Sequence, residues 1–89
     1  MAEAVLAIIN EKGLHARASA KFVEVVEGFD ARAEVTKDGE TVSGDSIMGL
    51  LMLGAARGTK VSVVTEGVEA ENLLKALQAL VADRFGEDY

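Results

Sequence analysis

Short apolar segments with two different periodicities follow one another along the chain. Residues 4–9 form a brief apolar run rich in β-branched side chains, which predicts a strand. Residues 31–37 and 60–65 alternate between apolar and polar positions, as half-buried strands do. The dipeptide Asp38-Gly39 favours a tight hairpin turn, so residues 40–43 are predicted to be a returning strand.

Three other segments have the spacing of helices. Apolar residues in 16–27 lie on one helical face, and Gly28 is predicted to end that helix in the left-handed conformation. Residues 47–53 are a short apolar stretch opened by the capping pair Asp45-Ser46. Residues 70–81 give the clearest pattern, with leucine and valine recurring at helical intervals.

The predicted order is therefore β-α-β-β-α-β-α. Short strands with half-polar faces, one of them returning through a hairpin, favour an antiparallel sheet with helices on one face, which is the α+β class. A length of 89 residues is enough for one hydrophobic core. Residues 1–89 are accordingly predicted to form a single domain.

The charge and the composition of the chain argue against several classes of function. The chain carries 15 acidic against 9 basic residues, a net charge of −6, which argues against binding nucleic acid or an anionic membrane. The longest uncharged stretch, residues 46–56, is little more than half of the roughly 20 residues that a membrane-spanning helix needs. No targeting signal is visible, so a cytoplasmic protein without membrane insertion is expected. The absence of cysteine excludes disulfides and thiolate chemistry.

His15 is the only histidine and directly precedes the predicted helix 16–27. The unpaired N–H groups at the start of that helix, together with Arg17, would make this an anion-binding position. The same positive helix end disfavours imidazolium, which leaves a neutral ring nitrogen as a nucleophile. One histidine without cysteine makes no recognisable metal-ligand set. A capping or surface histidine without chemistry remains the alternative interpretation.

Ser46 stands at the start of the apolar segment 47–53. A helix cap is the plain interpretation, and phosphorylation is the functional one, because a helix N-terminus tolerates phosphate. A helix this short cannot bury all of its faces. Ile47, Met48 and Leu51 are therefore predicted either to join the core or to form an exposed docking surface.

Two separated motifs give the chain a specific resemblance to a known family. The two motifs are Gly13-Leu14-His15-Ala16-Arg17-Ala18 and Ser46-Ile47-Met48-Gly49-Leu50-Leu51-Met52-Leu53, the second followed by Gly54 and Gly58. The pair Gly28-Phe29 lies between them. Together they resemble the HPr family, the histidine phosphocarriers of the bacterial phosphoenolpyruvate-dependent phosphotransferase system. The resemblance covers essentially the whole chain. Residues 50–58 and the acidic C-terminal end are as similar to the nitrogen-related branch, NPr, as to the sugar branch.

The resemblance implies a role for each matching residue. His15 would accept a phosphoryl group on Nδ1 from phosphorylated Enzyme I and pass it to an Enzyme IIA, while Arg17 would neutralise the phosphoryl oxygens. Ser46 would be the target of an HPr kinase/phosphorylase, and partners would dock on Ala20, Ile47, Met48 and Leu51. The implied protein is a monomeric carrier rather than an enzyme, with no cofactor or metal. Its implied fold is an open-faced β-sandwich, a four-stranded antiparallel sheet covered by three helices.

The chain departs from the family pattern in two respects. Ala18 stands where most members have proline, whose fixed φ would stiffen the first turn of the helix. Glu24, Glu27 and Gly49 stand where many sugar-branch members have lysine, so the basic rim that would attract acidic partners is reduced.

Three alternatives belong to other classes. An acyl-carrier-like protein could use the pair Asp45-Ser46, but the strand-like segments disagree with its helical bundle. A regulatory protein could use Ser46 alone, but the motif around His15 is intact. A stand-alone enzyme is the least supported alternative, because no pair of acid and base groups is visible.

Overall fold

Four strands and three helices follow one another in the order that the hydrophobic pattern predicts. The computed structural model describes residues 1–89. The elements are β1 (Ala2–Ala7), α1 (Ala16–Glu27), β2 (Arg32–Lys37), β3 (Glu40–Ser43), α2 (Ile47–Met52), β4 (Lys60–Glu66) and α3 (Ala70–Ala82), and a short 3-10 turn (Arg84–Gly86) follows α3.

The strands form one antiparallel sheet in the order β1-β4-β2-β3. The β2–β3 hairpin turns at Asp38 and Gly39, whose φ angles of 51° and 83° are the two positive values that a type I′ turn requires. β1 pairs along β4 from Ala2 opposite Thr65 to Ala7 opposite Lys60. The expected α+β fold, a four-stranded antiparallel sheet with three helices, is confirmed.

The hydrophobic core lies between one face of the sheet and the helices. The alternating residues Val61 and Val63 of β4 are buried against Phe22 of α1 and the leucines of α3. Val5 of β1 lies on the opposite face of the sheet and is exposed. Burial on one face only explains the period-two pattern of the strands. None of the helices combines the length and apolar character needed to cross a membrane.

Two local predictions are wrong. The first strand covers Ala2–Ala7 rather than 4–9. Ile8 N still donates to Thr59 O at 2.9 Å, but Ile8 O accepts from Gly58 N at 2.8 Å instead of from Thr59, so the regular ladder ends at Ala7. Gly28 is right-handed, with φ −80°, instead of left-handed. Its N–H closes the helix by donating to Val25 O, and Phe29 continues inward to pack against the core.

The chain reverses direction after α3. Arg84, Phe85 and Gly86 all have positive φ, at 54°, 55° and 79°, and this reversal returns the last residues toward the start of α1. Phe85 is fully buried at the turn. The hydrophobic pattern ends at Val81, and a single phenylalanine after it has no periodicity, so the sequence does not predict this tail.

Candidate functional site

His15 is the N-cap residue of α1. Its backbone is extended, with φ −76° and ψ −178°, and its carbonyl accepts the first helical hydrogen bond from Ser19 N at 2.8 Å. The ring Nδ1 accepts a hydrogen bond from the backbone N–H of Arg17 at 3.3 Å. The predicted position at the helix entrance is confirmed, and Nδ1 is the ring atom that faces the positive helix end.

The loop before His15 is held by the segment that follows α2. Leu14 N donates to Ala55 O at 2.9 Å. Gly13 has φ +65°, and a Cβ at this position would lie 2.4 Å from the same Ala55 oxygen. Only glycine satisfies both conditions, so Gly13 fixes the distance between the histidine loop and the end of α2.

Arg17 reaches His15 through its backbone rather than through its guanidinium. The guanidinium is exposed and makes no ion pair or hydrogen bond. It lines an open cleft of about 320 Å³ together with Lys12, Lys21 and the C-terminal residues 86–89. Glu11, Glu87 and Asp88 line the same cleft, and Lys21 Nζ is already bonded to Phe85 O. Lys12 and Arg17 are therefore the cations of this cleft that make no ion pair or hydrogen bond.

Glu87 completes the site and was not predicted from the sequence. Its Oε2 is in direct hydrogen-bond contact with His15 Nε2, although 72 positions separate the two residues. Its Oε1 accepts from Asn10 Nδ2 at 3.0 Å, and the same amide donates to Gly13 O at 2.8 Å. No local motif links these positions, because only the reversal after α3 brings the tail to the loop.

The environment keeps Glu87 ionised. The hydrogen bond from Asn10 is the main cause that lowers the pKa of Glu87 from its ordinary value of 4.5. Partial burial opposes the change, while the His15 contact and the charges of His15 and Lys12 add to the lowering. At neutral pH the tail therefore presents a carboxylate, which can only accept hydrogen bonds, to the histidine ring.

Ser46 caps α2 as predicted. Its Oγ accepts a hydrogen bond from Gly49 N at 3.0 Å, and its backbone is extended. Gly49 allows α2 to lie close to β3, since a Cβ there would be 3.0 Å from Val42 Cβ. Any side chain at this position would require Val42 or Ser46 to move by a few tenths of an ångström.

An apolar surface borders the histidine loop. Ile47, Met48 and Met52 are exposed on α2, while Leu51 of α2 and Ala20 of α1 are half-buried. We call Ile47, Met48, Leu51 and Met52 the α2 patch. Because α2 packs on α1 and its end is bonded to the histidine loop, the α2 patch and His15 belong to one side of the molecule. Met52 is 71% exposed and belongs to this surface, although the sequence does not single it out.

The backbone N–H of Ala18 makes no hydrogen bond, as expected in the first turn of a helix. Ala18→Pro is therefore expected to stabilise the protein by about 0.4 to 1 kcal/mol, because proline restricts the unfolded chain. Thermal melts should show a gain of about 2 to 8 °C. Ala20→Pro, inside the same helix, should instead lower the melting temperature. A lower melting temperature for Ala18→Pro would mean that the buried Ala18 pocket has no room for the ring.

The fold and the site define a small α+β domain with one histidine at a helix N-terminus. A family model described as the PTS HPr component phosphorylation site matches residues 2–83. The chain therefore belongs to the HPr family, the phosphocarriers of the phosphotransferase system. The four-stranded sheet also excludes the helical acyl-carrier alternative.

Relatives and solved structures agree with this assignment. The chain is 46% identical over 80 residues to the phosphocarrier protein HPr of Neisseria meningitidis, which covers 90% of each chain. It is 38% identical over 82 residues to the phosphocarrier protein NPr of Escherichia coli, covering 91% of each. The crystal structure of HPr-C-His from Thermoanaerobacter tengcongensis superposes with a TM-score of 0.95 at 39% identity, and the match covers both chains completely.

Proposed function

We propose that this chain carries a phosphoryl group on His15 Nδ1, accepting it from phosphorylated Enzyme I and passing it to an Enzyme IIA. The observation that supports this most is the position of Nδ1, which faces the N–H groups of α1 beside the unpaired guanidinium of Arg17. Both features stabilise a dianionic group bonded to that nitrogen.

The chain's own side chains and backbone supply the groups that phosphoryl transfer to His15 requires. The Nδ1 lone pair attacks phosphorus, the Nδ1–P bond forms as the donor's N–P bond breaks, and the electron pair of that bond returns to the donor nitrogen. Phosphoryl transfer depends mainly on positioning and charge neutralisation. The free N–H groups of the first turn and the guanidinium of Arg17 supply the neutralising contacts.

Incubation with Enzyme I and phosphoenolpyruvate tests the proposal. The intact mass should increase by one phosphoryl group, the modification should be lost in acid, and peptide mapping at alkaline pH should place it on His15. No mass increase with an Enzyme I that phosphorylates another HPr would contradict the proposal.

Docking is proposed to depend on the α2 patch. Met48 is 68% exposed on α2, which packs against the helix that His15 caps, and interface energy is concentrated in a few buried apolar anchors. Met48→Asp should raise the KM of Enzyme I for this protein by about 10-fold or more.

Val68→Asp is the matched control, because Val68 is 88% exposed in the loop before α3, outside the α2 patch. It introduces the same charge and should leave the KM unchanged. Equal effects of the two substitutions, both relieved by salt, would show that net charge rather than the patch governs docking.

We also propose that phosphorylation of Ser46 by an HPr kinase/phosphorylase would weaken docking without unfolding α2. Ser46 already caps that helix and directly precedes Ile47 of the α2 patch. Ser46→Asp should keep the melting temperature, because aspartate is an equally good cap. It should slow phosphorylation of His15, because a charge at the edge of an apolar contact must lose its hydration. A large drop in melting temperature, or phosphorylation at the parental rate, would contradict this mechanism.

A further inference from the structure

We propose that Glu87 is a positioning residue for His15, whose carboxylate keeps the ring proton on Nε2 and leaves the lone pair on Nδ1. The inference rests on the proposed function, since it concerns the nitrogen that accepts the phosphoryl group. It assigns a role in that chemistry to the C-terminal tail, which lies 72 positions from the histidine.

Two independent contacts specify the same tautomer of His15. Oε2 of Glu87 can only accept, so the hydrogen between it and the ring must belong to Nε2. On the other side of the ring, Arg17 N donates to Nδ1, which must therefore carry a lone pair. A neutral imidazole with hydrogen on Nε2 and a free pair on Nδ1 satisfies both contacts, and the opposite tautomer satisfies neither.

Asn10 fixes the carboxylate. This side chain is completely buried, and its Nδ2 donates to both Gly13 O and Oε1 of Glu87. Turning the amide over would direct its oxygen at those two acceptors, so the network defines the orientation. Asn10 thus joins the loop that carries His15 to the tail that carries Glu87, and its Oδ1 has no partner.

The tail is anchored on both sides of Glu87. Phe85 is fully buried, and its carbonyl accepts from Lys21 Nζ at 2.6 Å. On the other side, Tyr89 O accepts from Glu11 N at 3.0 Å. Anchors before and after Glu87 restrict the carboxylate to the edge of the ring, as expected for a group that orients another residue.

The carboxylate also matches the charge that transfer creates. When Nδ1 gives its pair to phosphorus while hydrogen stays on Nε2, the ring becomes a phosphorylated imidazolium with a positive charge. The Glu87 carboxylate stabilises that charge without taking the proton, as the carboxylate of a catalytic triad does for its imidazolium. When the phosphoryl group leaves, the pair returns to Nδ1 and the original tautomer is restored.

Glu87→Gln is the decisive variant, because an amide cannot satisfy both neighbours. If its oxygen accepts from Asn10, its NH₂ faces Nε2 of His15 and favours the opposite tautomer. If its oxygen accepts from His15, its NH₂ faces the NH₂ of Asn10. Asp83→Asn is the matched control, since it removes one negative charge near the tail from an exposed residue that makes no side-chain hydrogen bond.

The experiment combines ¹⁵N NMR of the His15 ring with phosphorylation kinetics using Enzyme I. Spectra are recorded at about pH 8.5, where an ordinary histidine is neutral. The parent and Asp83→Asn should show a protonated Nε2 and an unprotonated Nδ1. Glu87→Gln should lose this preference and should accept phosphate about 10 to 100 times more slowly, the cost typical of removing the partner that orients a ligating histidine.

A parent ring protonated mainly on Nδ1 would overturn the inference, and so would a Glu87→Gln rate equal to the parental rate. Slower transfer to Glu87→Gln without a tautomer change would also overturn the inference. Equal slowing in Asp83→Asn would do the same, because either result would indicate a general effect of charge. A parent that is not phosphorylated at all would overturn the proposed function. The ring spectra are independent of that result, so the two failures are distinguishable.

Discussion

His15→Ala is expected to abolish phosphorylation by Enzyme I and phosphoenolpyruvate completely. Alanine has no nucleophilic nitrogen, and the chain has no second histidine that could replace it. Intact mass spectrometry after incubation should show no added phosphoryl group even at long times. The substitution also removes the cap on Arg17 N, which is expected to cost about 0.5 to 1 kcal/mol of stability.

Two controls separate loss of the acceptor from loss of the fold. A thermal melt of His15→Ala should remain cooperative and only slightly lowered. Arg17→Ala should still accept phosphate, but more slowly, because the nucleophile stays and only the guanidinium is lost. Undiminished acid-labile phosphate on His15→Ala would show that another residue is the acceptor. An acid-stable phosphate on His15→Ala would instead revive the alternative in which Ser46 is the only functional residue, because phosphoserine survives acid.

Phe85→Ala is expected to have the largest effect on stability. Phe85 is 0% exposed, and removing a buried phenylalanine side chain costs about 3 to 5 kcal/mol. In a domain of this size, thermal melts should show a decrease of about 15 to 30 °C. The substitution should also release the tail from the loop of His15, because Phe85 is the buried anchor of that tail.

Tyr89→Ala is the matched control for this prediction. Tyr89 is an aromatic residue of the same tail but is 74% exposed, and its bond to Glu11 uses the backbone carbonyl. Its replacement should change the melting temperature little. If Phe85→Ala melts at the same temperature as the parent, the core is stable without the aromatic ring of the tail.

Much of the fold follows from the sequence because its causes are local. The helix 16–27 and the returning strand 40–43 were predicted with the boundaries that the structure has, since periodicity and turn residues act over a few positions. The Asp38-Gly39 turn and the Ser46 cap depend on the conformational preferences of single residues. His15 was predicted at the helix entrance from its immediate neighbours.

The remaining part of the site depends on contacts between residues that are far apart in the chain. Glu87 and Asn10 are ordinary polar residues in the sequence, and no spacing rule connects either of them to His15. They meet because Phe85 is buried after α3 and three successive positive φ angles turn the tail back over the loop. The free energy for that turn comes from long-range burial of an aromatic ring, a term that local patterns do not contain. The histidine and the helix that it caps follow from residues that are neighbours in the chain, whereas long-range packing places the carboxylate beside the ring.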